Sequence, residues 1–100
     1  DTRERPAFAL IELVELKGAS VDFYDPYIPE IPATREHTSL AGRVSVDCTA
    51  ETLEGYDAVL ICTDHENIDY DLVARHANML IDTRGVVRKM GLANPRLVQA

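Results

Sequence analysis

The tripeptide Asp-Thr-Arg occurs twice, at Asp1–Arg3 and Asp82–Arg84. Arginine matters here because its planar fork of N–H donors grips a phosphate or carboxylate through two parallel bonds. Two readings are open for each copy. In one, the Asp closes a turn and the Arg is a solvated or ion-paired surface residue; in the other, both arginines hold phosphates. Asp64, His65 and Glu66 offer acid/base or metal-ligating types, but three adjacent loop residues do not converge on one atom without help from elsewhere. Asp25 stands before Pro26, where it suits a turn, although an acidic residue after a strand can also hold a ribose hydroxyl. His76 sits late in a predicted helix, where it serves the helix dipole or the core, and His37 lies in a proline-rich stretch.

The cysteines, Cys48 and Cys62, lack Cys-x-x-Cys or Cys/His spacing, which favours reduced thiols and gives zinc no ligand set. Cys62 ends an apolar run, so its thiol is expected to be protonated and inert. No metal and no catalytic residue is assigned to this chain.

These groups need elements to position them. Apolar residues Ala7, Leu10, Ile11 and Val14 recur at helical spacing, widened by Phe8, Leu13 and Leu16, so Pro6–Lys17 is predicted helical. Pro6 suits its first turn and Gly18 its end. Short strands are predicted at Val21–Tyr24 and Val44–Val46, separated by an irregular loop, Pro26–Ser39, that carries three prolines. Thr49 is expected to cap a short helix ending at Gly55, and Asp69 a second one running to about Ala77. The continuous apolar run Ala58–Cys62 reads as a strand buried on both faces. Met79–Ile81 and Arg96–Val98 complete the strands.

This order spells an α/β fold, a Rossmann-like three-layer domain with a mostly parallel sheet. Such a domain ordinarily begins with a central strand, and here the chain opens at a helix, so the first strand is expected to be missing and the chain to be a piece of a longer polypeptide. Ligands of open α/β sheets bind beyond the carboxyl ends of the strands. The segments reaching that edge are "DTRER", "TDHEN" and "DTRG". The strand-to-helix junction "DTRERPA" contains no glycine, so it cannot form an ordinary dinucleotide-binding turn, and an anion there must be held by Arg side chains.

Composition narrows the classes. One hundred residues with 46% hydrophobic content suit one domain, residues 1–100, burying roughly two-thirds of the surface of its unfolded chain. The net charge is −7 and the ten Lys and Arg do not cluster beyond pairs such as Arg88 and Lys89, which argues against a nucleic acid partner. No apolar run approaches the ~18 residues of a membrane span. The expectation is a soluble cytoplasmic protein.

The stretches "DTRERPAFALIELVELKGASVDFYDPYIP" and "YDAVLICTDHENIDYDLVARHANMLIDTRGVV" closely resemble the C-terminal domain of the UDP-glucose/GDP-mannose dehydrogenase family. The likeness rests on the Asp-x-Arg-Glu helix start, the Tyr-Asp-Pro-Tyr turn, the Asp-Ala-Val strand and the Asp-Thr-Arg close. Members of that family use NAD to oxidise the C6 hydroxymethyl of a nucleotide sugar to a carboxylate, through a thiohemiacetal and a thioester on a catalytic Cys. The resemblance implies a C-terminal domain that closes over a UDP-sugar, with NAD bound mainly by an N-terminal domain and a homo-oligomer formed through a central one. It implies that Arg3 reaches the NAD near its phosphates and that Arg84 contacts the nucleotide sugar. The catalytic Cys belongs upstream, so Cys48 and Cys62 do not inherit its role, and the isolated chain is expected to be inactive. The loop "IPATREHTSLAG" looks like that of UDP-N-acetylhexosamine 6-dehydrogenases, favouring UDP-N-acetylglucosamine over UDP-glucose, with GDP-mannose third. Two departures stand out: Arg5 replaces a common capping Ser, and Gly85 replaces a common Asn. The alternative is a stand-alone UDP-sugar-binding or regulatory module without catalysis.

Overall fold

A computed structural model of the chain describes residues 5–33 and 38–99. They fall into two compact units, Asp1–Val46 and Asp47–Ala100.

In the first unit, helix α1 spans Arg5–Leu16. Its end is the predicted one: Gly18 takes φ 99°, and the N–H groups of Gly18 and Ala19 return to the carbonyls of Glu15 and Val14, a glycine-terminated helix end. Phe8 packs with Ile31 and Leu40, flanked by Ile11 and Phe23. Leu13 and Leu16 do not extend that stripe, being exposed, because at 100° per residue both fall away from the direction of Phe8 and Ile11.

The two strands predicted in this unit do not form ladders. The Val21 N–H is taken by the Glu15 carboxylate rather than by a neighbouring strand, and Phe23 O accepts a single bond from the Val46 N–H at 2.8 Å. Val44 makes an isolated antiparallel bridge with Glu30. The polar frame is instead made of side chains: Arg43 grips Glu15 with both guanidinium nitrogens, at 2.7 and 2.8 Å. The proline-rich segment ends in a single 3₁₀ turn, Thr38–Leu40, that buries Leu40.

The second unit holds the sheet. Strands β1 (Val59–Ile61), β2 (Leu80–Asp82) and β3 (Leu97–Gln99) lie parallel in the order β1-β2-β3. The α/β class and the parallel sheet follow the sequence reading. Helix α2 (Ala50–Glu54) precedes the sheet, and helices α3 (Tyr70–His76) and α4 (Val86–Lys89) connect its strands. Thr49 and Asp69 are the N-caps expected of them, accepting the N–H groups of Thr52 and Leu72, both at 3.1 Å. Leu53, Ile61, Tyr70, Val73, Leu80, Val86 and Val87 share one core. The two-sided burial expected for β1 is not seen, since Leu60 is 38% exposed while Ile61 is buried. Period two explains the difference, because Leu60 and Ile61 point to opposite faces.

Asn94 fastens the lower edge of this core. Buried itself, it donates from Nδ2 to the carbonyls of Ala74 and Ala77, at 2.8 and 2.9 Å, and accepts the Arg96 N–H at 2.8 Å. The carbonyls left over at the end of α3 thereby find a side-chain donor. Among the described residues no helix is long and apolar enough to cross a membrane.

Candidate anion-binding edge of the sheet

The register aligns Ile61, Asp82 and Gln99 across the three strands. These are the last residues of each strand, so their following loops open on one edge, where α/β sheets place ligands. The loop after β1 carries Thr63–Asn67 and the loop after β2 carries Thr83–Gly85.

Asp82 organises the second loop. As the third residue of β2 it falls on the same side as Leu80, the core side, and it is wholly buried. Its Oδ1 accepts the Arg84 N–H at 3.0 Å and its Oδ2 the Val87 N–H at 2.9 Å. Burial alone would raise its pKa, but the N–H groups of Val87, Arg84, Val86 and Gly85 outweigh that and hold the carboxyl below its ordinary value of 3.8. The loop is thus wound around a fixed anion. Gly85 completes the turn with φ 68° and ψ 20°, a left-handed conformation natural to Gly and tolerated by Asn. The exchange of Gly for Asn at this position therefore preserves the turn.

Thr83 ties the two loops together: its Oγ1 donates to Ile61 O at 2.6 Å and its N–H to the same oxygen at 3.2 Å. Arg84 is left at the mouth. Its side chain is exposed, and among the described residues its guanidinium has no ion-pair partner, in contrast to Arg43 with Glu15 and Arg75 with Asp71.

The loop after β1 does not gather Asp64, His65 and Glu66 into a trio. His65 is 5% exposed and turned inward, while Asp64 and Glu66 are exposed. The organising group is the buried Tyr70 hydroxyl, which accepts the His65 N–H at 2.8 Å and donates towards Asp64 Oδ1 at 3.4 Å. Burial raises its pKa, with the Asp64 charge adding to the effect against the His65 bond, so it remains a neutral donor. No three metal-ligating side chains come together among the described residues.

The other sequence-predicted residues have simpler places. Asp25 closes a turn, its Oδ1 accepting the N–H groups of Tyr27 and Ile28 at 2.7 and 3.2 Å. His76 meets Glu54 at 2.7 Å through Nδ1, away from the site edge. Cys62 and Cys48 are partly buried, and burial pushes both thiols up, Asp69 adding its charge at Cys48. Arg3 and His37 lie outside the described residues.

Sequence reasoning singled out Arg84 but passed over Tyr70 and Asn94, whose roles depend on partners five to twenty residues away. Asp82 carried a signal: a carboxylate closing an apolar strand and followed three residues later by glycine.

Comparison with known proteins adds an independent line. The family model for "UDP-glucose/GDP-mannose dehydrogenase family, UDP binding domain" matches residues 1–89. The chain is 26% identical over 94 residues to a UDP-N-acetyl-D-mannosamine dehydrogenase of Pyrococcus horikoshii, a match that covers 89% of this chain and 19% of that protein. It therefore spans about a fifth of the length of that curated relative. No solved structure gives a significant match.

Proposed function

This chain belongs to the UDP-glucose/GDP-mannose dehydrogenase family, in its UDP binding domain, and from that premise we propose that residues 1–100 are the C-terminal, nucleotide-sugar-binding part of an NAD-dependent UDP-sugar 6-dehydrogenase. The observation that carries the reading is Arg84. Its backbone is fixed by the buried Asp82, its guanidinium has no ion-pair partner among the described residues, and it stands at the edge where the fold class receives ligands. A diphosphate is a fitting occupant, since the guanidinium fork matches two phosphate oxygens at once.

The sugar is proposed to be an N-acetylhexosamine, UDP-N-acetylglucosamine before UDP-glucose. Support comes from the likeness of the "IPATREHTSLAG" loop and from the N-acetylated hexosamine in the name of the Pyrococcus horikoshii relative.

NAD would supply the hydride acceptor, but the described residues do not fit its pyrophosphate. The sequence has no Gly-x-Gly-x-x-Gly turn, and the cluster of N–H groups after β2 is already filled by the Asp82 carboxylate. The proposal therefore leaves NAD to other segments of a longer polypeptide, with Arg3 near its phosphates. The full-length enzyme is proposed to be a cytoplasmic homo-oligomer.

The test is calorimetric titration of the chain with UDP. Wild-type binding is expected, and Arg84→Ala should weaken it about 100-fold, the scale of a lost bidentate charge-assisted pair. Arg84→Lys should not restore it, because an ammonium cannot reproduce the fork. An unchanged affinity in Arg84→Ala would remove Arg84 from the site.

A further inference from the structure

Resting on the reading of Arg84 as a nucleotide-diphosphate contact, we infer that Arg88 is the second arm of a two-arginine clamp and that the clamp selects a diphosphate over a monophosphate.

The backbone cannot supply this second contact. At many phosphate sites the N–H groups of a loop and of the helix that follows point at the ligand. In this loop the Arg84 and Val87 N–H groups are bonded to the Asp82 carboxylate, and those of Gly85 and Val86 add to the stabilisation of its charge. An arriving phosphate meets a loop whose N–H groups already stabilise an internal anion and whose buried charge is negative. Neutralisation must come from side chains, and one guanidinium carries one positive charge, less than a diphosphate presents.

Arg88 is positioned to add the second. In α4, Val86 and Val87 are buried and anchor the helix in the core, whereas Arg88 is exposed. It follows Arg84 by four residues, a span of at most about 14 Å even at full extension. The actual path is tighter, because the chain turns at Gly85 and closes a helical turn with the Lys89 N–H bonded to Gly85 O at 3.1 Å. Arg84 thus immediately precedes, and Arg88 lies within, one turn of backbone, and among the described residues neither has an ion-pair partner. In a chain of net charge −7, where Arg43 and Arg75 are both engaged by carboxylates, a pair of unengaged arginines four residues apart forms a local positive field for a compact polyanion. Lys89 is also exposed, but its ammonium offers no planar fork, so it serves as the control position.

The experiment titrates UDP and UMP into wild-type chain, Arg84→Ala, Arg88→Ala, Arg88→Lys and Lys89→Ala. Each of these side chains is exposed, and circular dichroism will verify that the variants are folded. Arg88→Ala is expected to weaken UDP about tenfold while changing UMP by less than about twofold, Arg88→Lys to recover part of that loss, and Lys89→Ala to bind like wild type. If UDP binds the wild type and Arg84→Ala loses it while Arg88→Ala does not, the clamp is overturned and the assignment of Arg84 stands. Equal losses of UDP and UMP in Arg88→Ala overturn the diphosphate selectivity. A wild-type chain that fails to bind UDP removes the underlying reading and the clamp together.

Discussion

At the scale of residues, the site is built around a carboxylate that never meets solvent. Asp82 is fully buried, and four N–H groups converge on it. Deleting it by Asp82→Ala should cost about 3 kcal/mol, because several enclosed donors lose their acceptor at once. Asp82→Asn should cost less, about 2 kcal/mol, since one oxygen survives while the new amide nitrogen faces N–H groups. The pH dependence has a definite sign. The folded-state pKa lies below the ordinary 3.8, so the carboxylate's contribution is fully present above that value and is lost as pH falls through the lower, folded value. Glu15, held below its ordinary 4.5 by the Arg43 hydrogen bonds, works in the same direction. Urea unfolding between about pH 5 and about pH 2 should show wild-type stability falling more steeply than that of Asp82→Asn. Parallel slopes would mean that the protons are taken up elsewhere.

At the scale of elements, local signals were legible where one residue decides the outcome. Thr49, Asp69 and Gly18 each mark a helix end by their own chemistry, and each sits where expected. The strands expected at Val21–Tyr24 and Val44–Val46 do not form, because a strand is defined by its partner and neither segment finds a ladder. A β-branched residue beside aromatics announces extended backbone, but the Val21 N–H found the Glu15 carboxylate first. Helix α4 was missed for its brevity: four residues carry no period, and its start depends on the contact of Val87 with Asp82, five positions away. Gly85 is the hinge of that element and the basis of a prediction. A Cβ there would meet nothing within 4 Å, so only the backbone conformation, φ 68°, opposes substitution. Gly85→Ala should therefore cost about 1 kcal/mol, and Gly85→Asn less, since Asn visits the left-handed region more readily. Thermal unfolding of the two variants orders them. Equal losses would point to crowding rather than to φ.

At the scale of the whole molecule, the question is what a chain with these residues can do unaided. The family resemblance was legible in four short motifs, and two of them now have a physical meaning: Asp82-Thr83-Arg84 winds a loop around an internal anion, and Tyr24-Asp25-Pro26-Tyr27 is a turn closed by the Asp25 carboxylate. Neither motif oxidises anything. Oxidation of an alcohol to a carboxylate through a thioester needs a thiolate nucleophile and a bound hydride acceptor. Both thiols of this chain are pushed up by burial, which favours the protonated, unreactive form, and the N–H groups after β2 are turned to Asp82 rather than to a dinucleotide. The chain should therefore bind UDP yet form no NADH when supplied with NAD and either UDP-N-acetylglucosamine or UDP-glucose. Absorbance of the reduced nicotinamide, followed beside a UDP titration of the same sample, tests both halves. Binding without turnover is the expected pair. If NADH forms, Cys48→Ser and Cys62→Ser would show which thiol escapes its burial, and the division between a binding domain and a catalytic remainder would fall.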